Sequence, residues 1–205
     1  RVRFVLPSEF AVQYAESFSR LLMVRIDGVA SGHPQFSAQT ELIAQLRAAN
    51  IPVSYVSPDF RLSDDMAAAL RGMQNAEICI SAGPEAVTKD PTALAADLAR
   101  SVDTLNQSGF TASCVVEPRG NASTAGAIAN AGAAIVTPES LESQSFSGLD
   151  SNGLIHVPLL CQLAADDRLR TAKDVRDTII AEAGSLSDAV IAVRANMLTS
   201  PEVIS

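Results

Sequence analysis

The feature of this sequence that most constrains its fold is the repeated alternation of short apolar runs with stretches of helical periodicity. The first clear run covers residues 21–26, is interrupted only by Arg25, and ends at Asp27-Gly28. Runs of this kind are typical of strands that are buried on both faces of a sheet. The alternation therefore predicts a parallel β-sheet covered by helices, either open or closed as a barrel.

The same pattern continues along the chain. Residues 37–50 carry apolar side chains at helical spacing, and Ile51-Pro52 ends this helix before a strand at 53–56. Asp90-Pro91 is a typical helix start. Later strands are predicted at five places, which are 78–80, 112–116, 134–136, 154–160 and 189–193. Residues 138–153, rich in Ser and Glu, are interpreted as a long exposed loop.

One α/β domain is expected over residues 1–205. A chain of 205 residues, 47% of them hydrophobic, can bury a sizeable core. No linker, repeat or low-complexity segment divides the chain. Residues 1–20 are expected to form a strand and a helix that precede the core, and residues 21–205 form the core itself.

The charge composition excludes one large class of partners. Charged residues make up 19% of the chain, the formal net charge is −8, and no run of Lys or Arg occurs. The positive patch of a nucleic-acid-binding protein is therefore missing.

No apolar run reaches the roughly 18 residues of a membrane-spanning helix, so no membrane span is predicted.

The three cysteines, Cys79, Cys114 and Cys161, each lie in an apolar stretch. None belongs to a Cys-x-x-Cys pair, which argues against a zinc site and against a disulfide framework. One bridge stays open as an alternative. The simplest interpretation is three small buried side chains.

Polar residues that follow the predicted strands are candidates for a functional site, because parallel α/β folds bind ligands at the carboxyl ends of their strands. His156 differs from them, since it lies within a predicted strand. The candidates are Asp27, His33, Asp59, Ser81, Glu85, Glu117, Arg119, Asn121, Arg194 and Asn196.

Several of these positions resemble the polysaccharide deacetylase superfamily. Residues 22–28, Leu-Met-Val-Arg-Ile-Asp-Gly, are similar to the first motif of the family, and residues 51–56 are similar to its next element. Residues 77–81, the helix at Asp90-Pro91 and residues 109–120 follow in the order and spacing that the family uses. The resemblance spans residues 20–205 and implies a distorted (β/α) barrel.

The resemblance also implies a chemistry for which most residues are missing. Members of the family use a divalent metal, held by an aspartate and two histidines, to polarise an acetamide carbonyl and activate water, while another aspartate is the base. Asp27 matches the base, but Gly28 replaces the metal-binding aspartate. Ser81 and Glu85 fall near the positions of the paired histidines. The resemblance therefore implies that Asp27 is a remnant base without a resident metal.

Two further motifs of the family are altered. Its third motif begins with an arginine before a proline, whereas Arg119 follows Pro118 here. Its late histidine, the general acid, falls near Arg194. The two histidines of the chain are His33 and His156. A triad of Ser81, His156 and Asp27 can be written, but no Gly-x-Ser-x-Gly elbow exposes the serine.

Three functions follow from these observations. The first is a catalytically inactive deacetylase-like domain, a structural or interaction module that binds a glycan, a protein or another domain and needs no cofactor. The family suggests an envelope or extracytoplasmic location and a link to polysaccharide metabolism. The second is an active metal-dependent carbohydrate deacetylase, with a non-standard site built from Asp27, Glu85, Glu117 and His33. The third is a nucleotide or sugar-phosphate binder that uses backbone N–H groups of residues 120–126. That segment lacks the lysine of a P-loop and the spacing of the dinucleotide fingerprint.

Overall fold

Strands and helices alternate through most of the chain, as the apolar pattern predicts. A computed structural model describes residues 2–7, 9–10, 20–28, 36–57, 64–71, 76–117, 122–139, 141, 148–163, 171–184 and 189–194. The elements are β1 (Val2–Phe4), β2 (Arg20–Asp27), α1 (Phe36–Ala48), β3 (Val53–Ser57), α2 (Asp64–Arg71), β4 (Ala76–Ser81), a 3₁₀ turn (Pro84–Val87), α3 (Pro91–Gln107), β5 (Cys114–Glu117), α4 (Ala122–Asn130), β6 (Ile135–Pro138), β7 (Gly148–Leu149), β8 (Ile155–His156), β9 (Leu159–Leu163), α5 (Ala172–Glu182) and β10 (Ala189–Arg194).

The strands form one mostly parallel sheet. Their order is β7-β8-β6-β5-β4-β3-β2-β10-β9, and β1 pairs with the first residues of β2. Only the β7–β8 pair is antiparallel among the described strands. The sheet is curled into a half-barrel, so the predicted mixed α/β domain is confirmed at that level.

The two faces of the sheet pack against different partners. Along β2, Leu22, Val24 and Ile26 join side chains of the helices in what we call the helix-side core. Leu21 and Met23 point the other way, into a cluster contributed almost entirely by strands, which we call the interior core. The interior core consists of Val5, Phe10, Leu21, Met23, Val56, Cys79, Cys114, Val116, Ile135, Ile155, Val157, Leu159, Val190 and Ala192. Burial on both faces explains why β2 is a continuous apolar run.

Local signals set several helix boundaries. The predicted start of α3 is confirmed, because the Asp90 side chain accepts hydrogen bonds of 3.0 Å from the N–H groups of Thr92 and Ala93. Pro91 occupies the first turn, where its missing N–H is not needed. Helix α5 begins with a capping box between Thr171 and Asp174.

The curl of the sheet is visible in the short segment between β8 and β9. These two strands stand far apart in the strand order, yet only Val157 and Pro158 separate them. The N–H of Val157 donates to Val136 O of β6 at 3.0 Å, while Pro158 O accepts from Val190 N of β10 at 2.8 Å. The single strand predicted at 154–160 is therefore divided between two neighbours. Pro158 lacks an N–H group, so the ladder to β6 ends there.

Two other expectations are changed or only partly covered. The predicted loop at 138–153 contains β7, which pairs with β8 in an antiparallel register of Leu149 with Ile155. The N-terminal strand is present as β1, but most of the helix expected before β2 lies outside the described residues. None of the described helices has both the length and the apolar character of a membrane span.

Candidate functional site

Four of the predicted site residues end their strands at the same edge of the sheet. Asp27 ends β2, Ser81 ends β4, Glu117 ends β5 and Arg194 ends β10. Asp27 and Arg194 are Cα partners in the β2–β10 ladder. Five candidates lie outside the described residues, and these are His33, Asp59, Arg119, Asn121 and Asn196.

Arg25 is a buried cation just below this edge, with only 1% of its surface exposed. Its Nε donates to Asp27 Oδ1 at 2.7 Å, and its Nη2 donates to Asp27 Oδ2 at 3.1 Å. Its Nη1 donates to Thr137 Oγ1 at 3.3 Å and to Pro138 O at 2.9 Å, and Nη2 also reaches Glu139 O at 3.4 Å. A guanidinium has five N–H donors, so these five contacts provide one acceptor for each donor.

The contacts of Arg25 cross the interior of the curled sheet. Asp27 belongs to β2, whereas Thr137 and Pro138 belong to β6, and three strands lie between β2 and β6 in the sheet. A side chain cannot follow the sheet over that distance, so it spans the concave side. Arg25 therefore connects two strands that share no backbone ladder.

Asp27 is held by this contact. Both of its carboxylate oxygens accept hydrogen bonds from one guanidinium, which is the bidentate geometry that arginine and carboxylate favour. The Asp27 side chain is 23% exposed, so it is within reach of solvent at the sheet edge. Its geometry fits the role of a counter-ion to a buried cation.

Gly28 has no space for a larger side chain. A Cβ at this position would lie 2.1 Å from the Tyr55 hydroxyl oxygen and 2.7 Å from the backbone oxygen of Val56. The N–H of Gly28 donates to that same Val56 oxygen at 2.9 Å. The residues present therefore do not fit the metal that the resemblance implies, because the position of its aspartate ligand is closed by Tyr55 and by the backbone of β3.

Ser81 and Glu85 lie beside a cavity of about 450 Å³ between the end of β4 and one side of α3. Ser81 Oγ accepts from the N–H of Gly83 at 3.3 Å. Glu85 is exposed, and its Oε1 lies 2.7 Å from the point where a Cβ on Gly83 would be. Glycine fits there for a second reason, its φ of 76°. Ser81 thus makes a contact within its own turn, and Glu85 lies beside Gly83 in the same turn.

The far wall of the cavity carries a small charge network. Lys89 donates to Asp97, and Arg100 contacts the same carboxylate at 3.3 Å. The hydrogen bond from Lys89 and its charge, helped by Arg100, lower the pKa of Asp97. Each cation on this wall thus already has a carboxylate partner.

Glu117 is buried, with 4% of its surface exposed, on the other face of its strand from the interior core. Cys114 and Val116 of β5 belong to the interior core, and Val115 belongs to the helix-side core. Alternation along the strand places Glu117 with Val115. Its Oε2 accepts from Thr124 Oγ1 of α4 at 3.3 Å. Asp27 and Glu117 thus lie on different faces of the sheet.

His156 is also placed away from Asp27. Its neighbours Ile155 and Val157 belong to the interior core, so His156 points out of the interior. Its Nε2 lies 3.0 Å from Asp150 Oδ2. A triad of Ser81, His156 and Asp27 is therefore not assembled. Burial alone raises the pKa of Asp150, but hydrogen bonds from His156 and from the N–H groups of Leu154 and Asn152 lower it to about 2.

The described residues contain no group of three or more His, Cys, Asp or Glu that could hold a metal ion. Sequence reasoning missed Arg25, Thr137 and Glu139 as parts of this edge. A usable signal was present for Arg25 only. A charged residue inside a buried strand requires partners, because arginine is rarely buried without them.

Comparisons with known proteins give little beyond this geometry. No protein-family model matches the chain, and a search of curated proteins finds no significant relative. Among solved structures, the chain is similar to the uncharacterized protein ATU2773 from Agrobacterium tumefaciens C58, with 18% sequence identity and a TM-score of 0.48. The match covers 90% of this chain and 82% of that one.

Substitution of Gly28 by alanine tests the packing at the metal-ligand position. We expect Gly28→Ala to lower the free energy of unfolding by about 1–3 kcal/mol, because the added methyl group displaces Tyr55 or β3. Gly126→Ala in α4 is the matched control, since a Cβ there meets no atom within 4 Å. The control should be stabilised by up to about 1 kcal/mol. Urea unfolding of both variants measures the two values, and equal stability of both would contradict the packing.

The Asp150 contacts predict a defined dependence of stability on pH. The folded pKa of Asp150 is lower than its usual value of 3.8, so its contribution to stability is present above pH 3.8 and is lost as the pH falls toward 2. Asp150→Asn should therefore remove part of the acid dependence between pH 4 and 2. Thermal unfolding of both proteins over this range measures the effect. Identical slopes for both proteins would contradict it.

Proposed function

We propose that this chain is a catalytically inactive, polysaccharide-deacetylase-like domain that acts as a structural or interaction module. Its partner in this proposal is a glycan, a protein or another domain of the same assembly, linked to polysaccharide metabolism at the cell envelope. The proposal has two parts. The carboxyl ends of the strands have lost the catalytic residues of the family, and the residues that stand there stabilise the fold. Each part is supported by a contact at the end of β2.

The bidentate pair between Arg25 and Asp27 carries the proposal. A general base must present a carboxylate lone pair to the proton that it removes. Both oxygens of Asp27 instead accept from a guanidinium that is 1% exposed. Removal of Asp27 would leave that cation without its anionic partner, so in this proposal the carboxylate stabilises the fold.

The packing of Gly28 supports the loss of the metal site. The family position for the metal-binding aspartate lies directly after Asp27, where Tyr55 and Val56 approach too closely for any side chain. Near the positions of the paired histidines, Ser81 accepts a hydrogen bond from Gly83, and Glu85 is an exposed side chain. This part of the edge therefore favours a module that does not use the family chemistry.

We also propose that the curled sheet is a distorted (β/α) barrel in which β8 and β9 together occupy one strand position. The segment at Val157 and Pro158 bonds to β6 on one side and to β10 on the other. A pair of strands shared in this way would connect the β8 side of the strand order to β9. A barrel of this kind is the architecture that the resemblance implies.

The active deacetylase is the alternative that one experiment separates from this proposal. Asp27→Asn keeps the size of the side chain and removes its charge, so it breaks the ion pair and would also disable a catalytic base. In the inactive module, the variant should lose about 3 kcal/mol of unfolding free energy, the low end for a broken buried pair. Urea unfolding gives this value, and hydrolysis of an acetylated chitooligomer and of a simple acetyl ester is measured in parallel.

The matched control is Asp177→Asn, which removes the carboxylate of the Arg176–Asp177 pair, where the Asp177 side chain is 52% exposed. Its stability should stay close to that of the unaltered protein. The unaltered protein should hydrolyse neither substrate, with or without added zinc or manganese. Turnover that disappears in Asp27→Asn while stability is unchanged would contradict the proposal and establish Asp27 as a base.

A further inference from the structure

Two of the three cysteines face each other inside the curled sheet. Cys79 of β4 and Cys114 of β5 are Cα partners in the parallel ladder between these strands. Each is 1% exposed, each belongs to the interior core, and both are free thiols. The two residues are distant in the sequence, so they become neighbours only because β4 and β5 are adjacent in the sheet.

The spacing of the two residues suits a covalent link. Neighbouring strands lie about 4.8 Å apart, and disulfides join Cα atoms separated by roughly 4.4–6.8 Å. Both side chains lie on the same face of the sheet, since both belong to the interior core. The ladder therefore places the two Cα atoms at a separation that an S–S bond can join.

Cys161 does not compete for either partner. It lies in β9, its Cα partner is Ile191, and its side chain packs against the helix-side core. The sheet itself separates that core from the interior core. A bridge from Cys161 to Cys79 or Cys114 would thus require the sheet to open.

The surroundings of the pair favour a bridge over a reactive thiol. The neighbouring Cys79 thiol and burial in the apolar interior raise the pKa of the Cys114 thiol. A nucleophilic cysteine needs the opposite, because the thiolate is the reactive form. A disulfide carries no charge, so it is compatible with the apolar side chains of this core.

We propose that Cys79 and Cys114 are the site of an intramolecular disulfide, formed by exchange with a low-molecular-weight disulfide during folding under oxidising conditions. One cysteine thiolate attacks the small disulfide and releases one small thiolate, which leaves a mixed disulfide. The second cysteine thiolate then attacks the mixed disulfide and releases the other small thiolate. The two cysteine protons end on the two released thiols, and two electrons pass from the cysteine sulfurs to the small disulfide.

The bridge would connect β4 to β5 and close a loop that contains the 3₁₀ turn and α3. Closing a loop of this kind restricts the unfolded chain and so raises the midpoint of thermal unfolding, here by about 5–10 °C. Both sulfurs are buried, so oxidation of the folded protein is slow and oxidation during refolding is fast. The inference does not depend on the proposed function, because it concerns the interior core and not the carboxyl ends of the strands.

Refolding in a redox buffer tests this site directly. The full chain is reduced and unfolded in urea, then refolded with excess oxidised glutathione, and remaining thiols are alkylated before tryptic digestion without reductant. The three cysteines fall on three tryptic peptides, residues 72–89, 101–119 and 120–168. We expect the first two to be linked, the third to carry no link to another peptide, either alkylated or as a glutathione mixed disulfide, and the melting midpoint to be higher than that of the reduced protein.

The control variant Cys161→Ala should give the same link and the same rise in melting midpoint. Cys79→Ala and Cys114→Ala should abolish both effects. The peptide map of the unaltered protein decides the question even if these two variants fold poorly. Cys79 and Cys114 that stay unlinked, as alkylated thiols or as glutathione mixed disulfides, would overturn the proposal. A link to the peptide of Cys161 or a lower melting midpoint on oxidation would also overturn it.

Discussion

The structure depends on the hydrogen bonds and the counter-ion that one buried guanidinium requires. Arg25 lies in a strand whose other side chains are packed on both faces, so its charge has no access to bulk water. A buried cation is tolerated only when its donors find acceptors and its charge finds a counter-ion. The five acceptors belong to the end of β2 and to the end of β6 with the residue after it. These strand ends can meet across the interior only if the sheet between them is curled, so the needs of one side chain and the shape of the sheet are linked.

The same contacts determine which residues at the carboxyl ends of the strands are available to bind a ligand. In parallel α/β folds this edge normally binds ligands. Here Asp27 is the counter-ion of Arg25, and Gly28 is packed under Tyr55 and the backbone of β3. Asp27 and Gly28 thus both make contacts with the surrounding scaffold. Farther along the edge, Glu117 accepts a hydrogen bond from Thr124 of the helix layer, and Ser81 accepts one from Gly83 in its own turn.

Much of the fold could be predicted from local sequence, and most of the site could not. Asp90-Pro91 starts a helix through contacts within one turn, so the sequence alone was enough. The partners of Arg25 in β6 lie far away along the chain, and strand periodicity carries no information about them. The division of 154–160 into β8 and β9 depends on which neighbours its backbone meets. For His156, the partner Asp150 lies in a segment that the sequence assigns to a loop.

The most direct measurement of the central claim is the coupling energy between Arg25 and Asp27. A double-mutant cycle with Arg25→Met, Asp27→Asn and the double variant compares the three losses of unfolding free energy in urea. Methionine keeps the length and apolar stem of the arginine, so the double variant removes the ion pair without leaving an unpaired buried cation. If the pair holds the two strand ends together, the sum of the losses in the two single variants should exceed the loss in the double variant by about 2 kcal/mol or more. A coupling below about 0.5 kcal/mol would mean that the two residues act independently, and that the buried cation does not depend on Asp27.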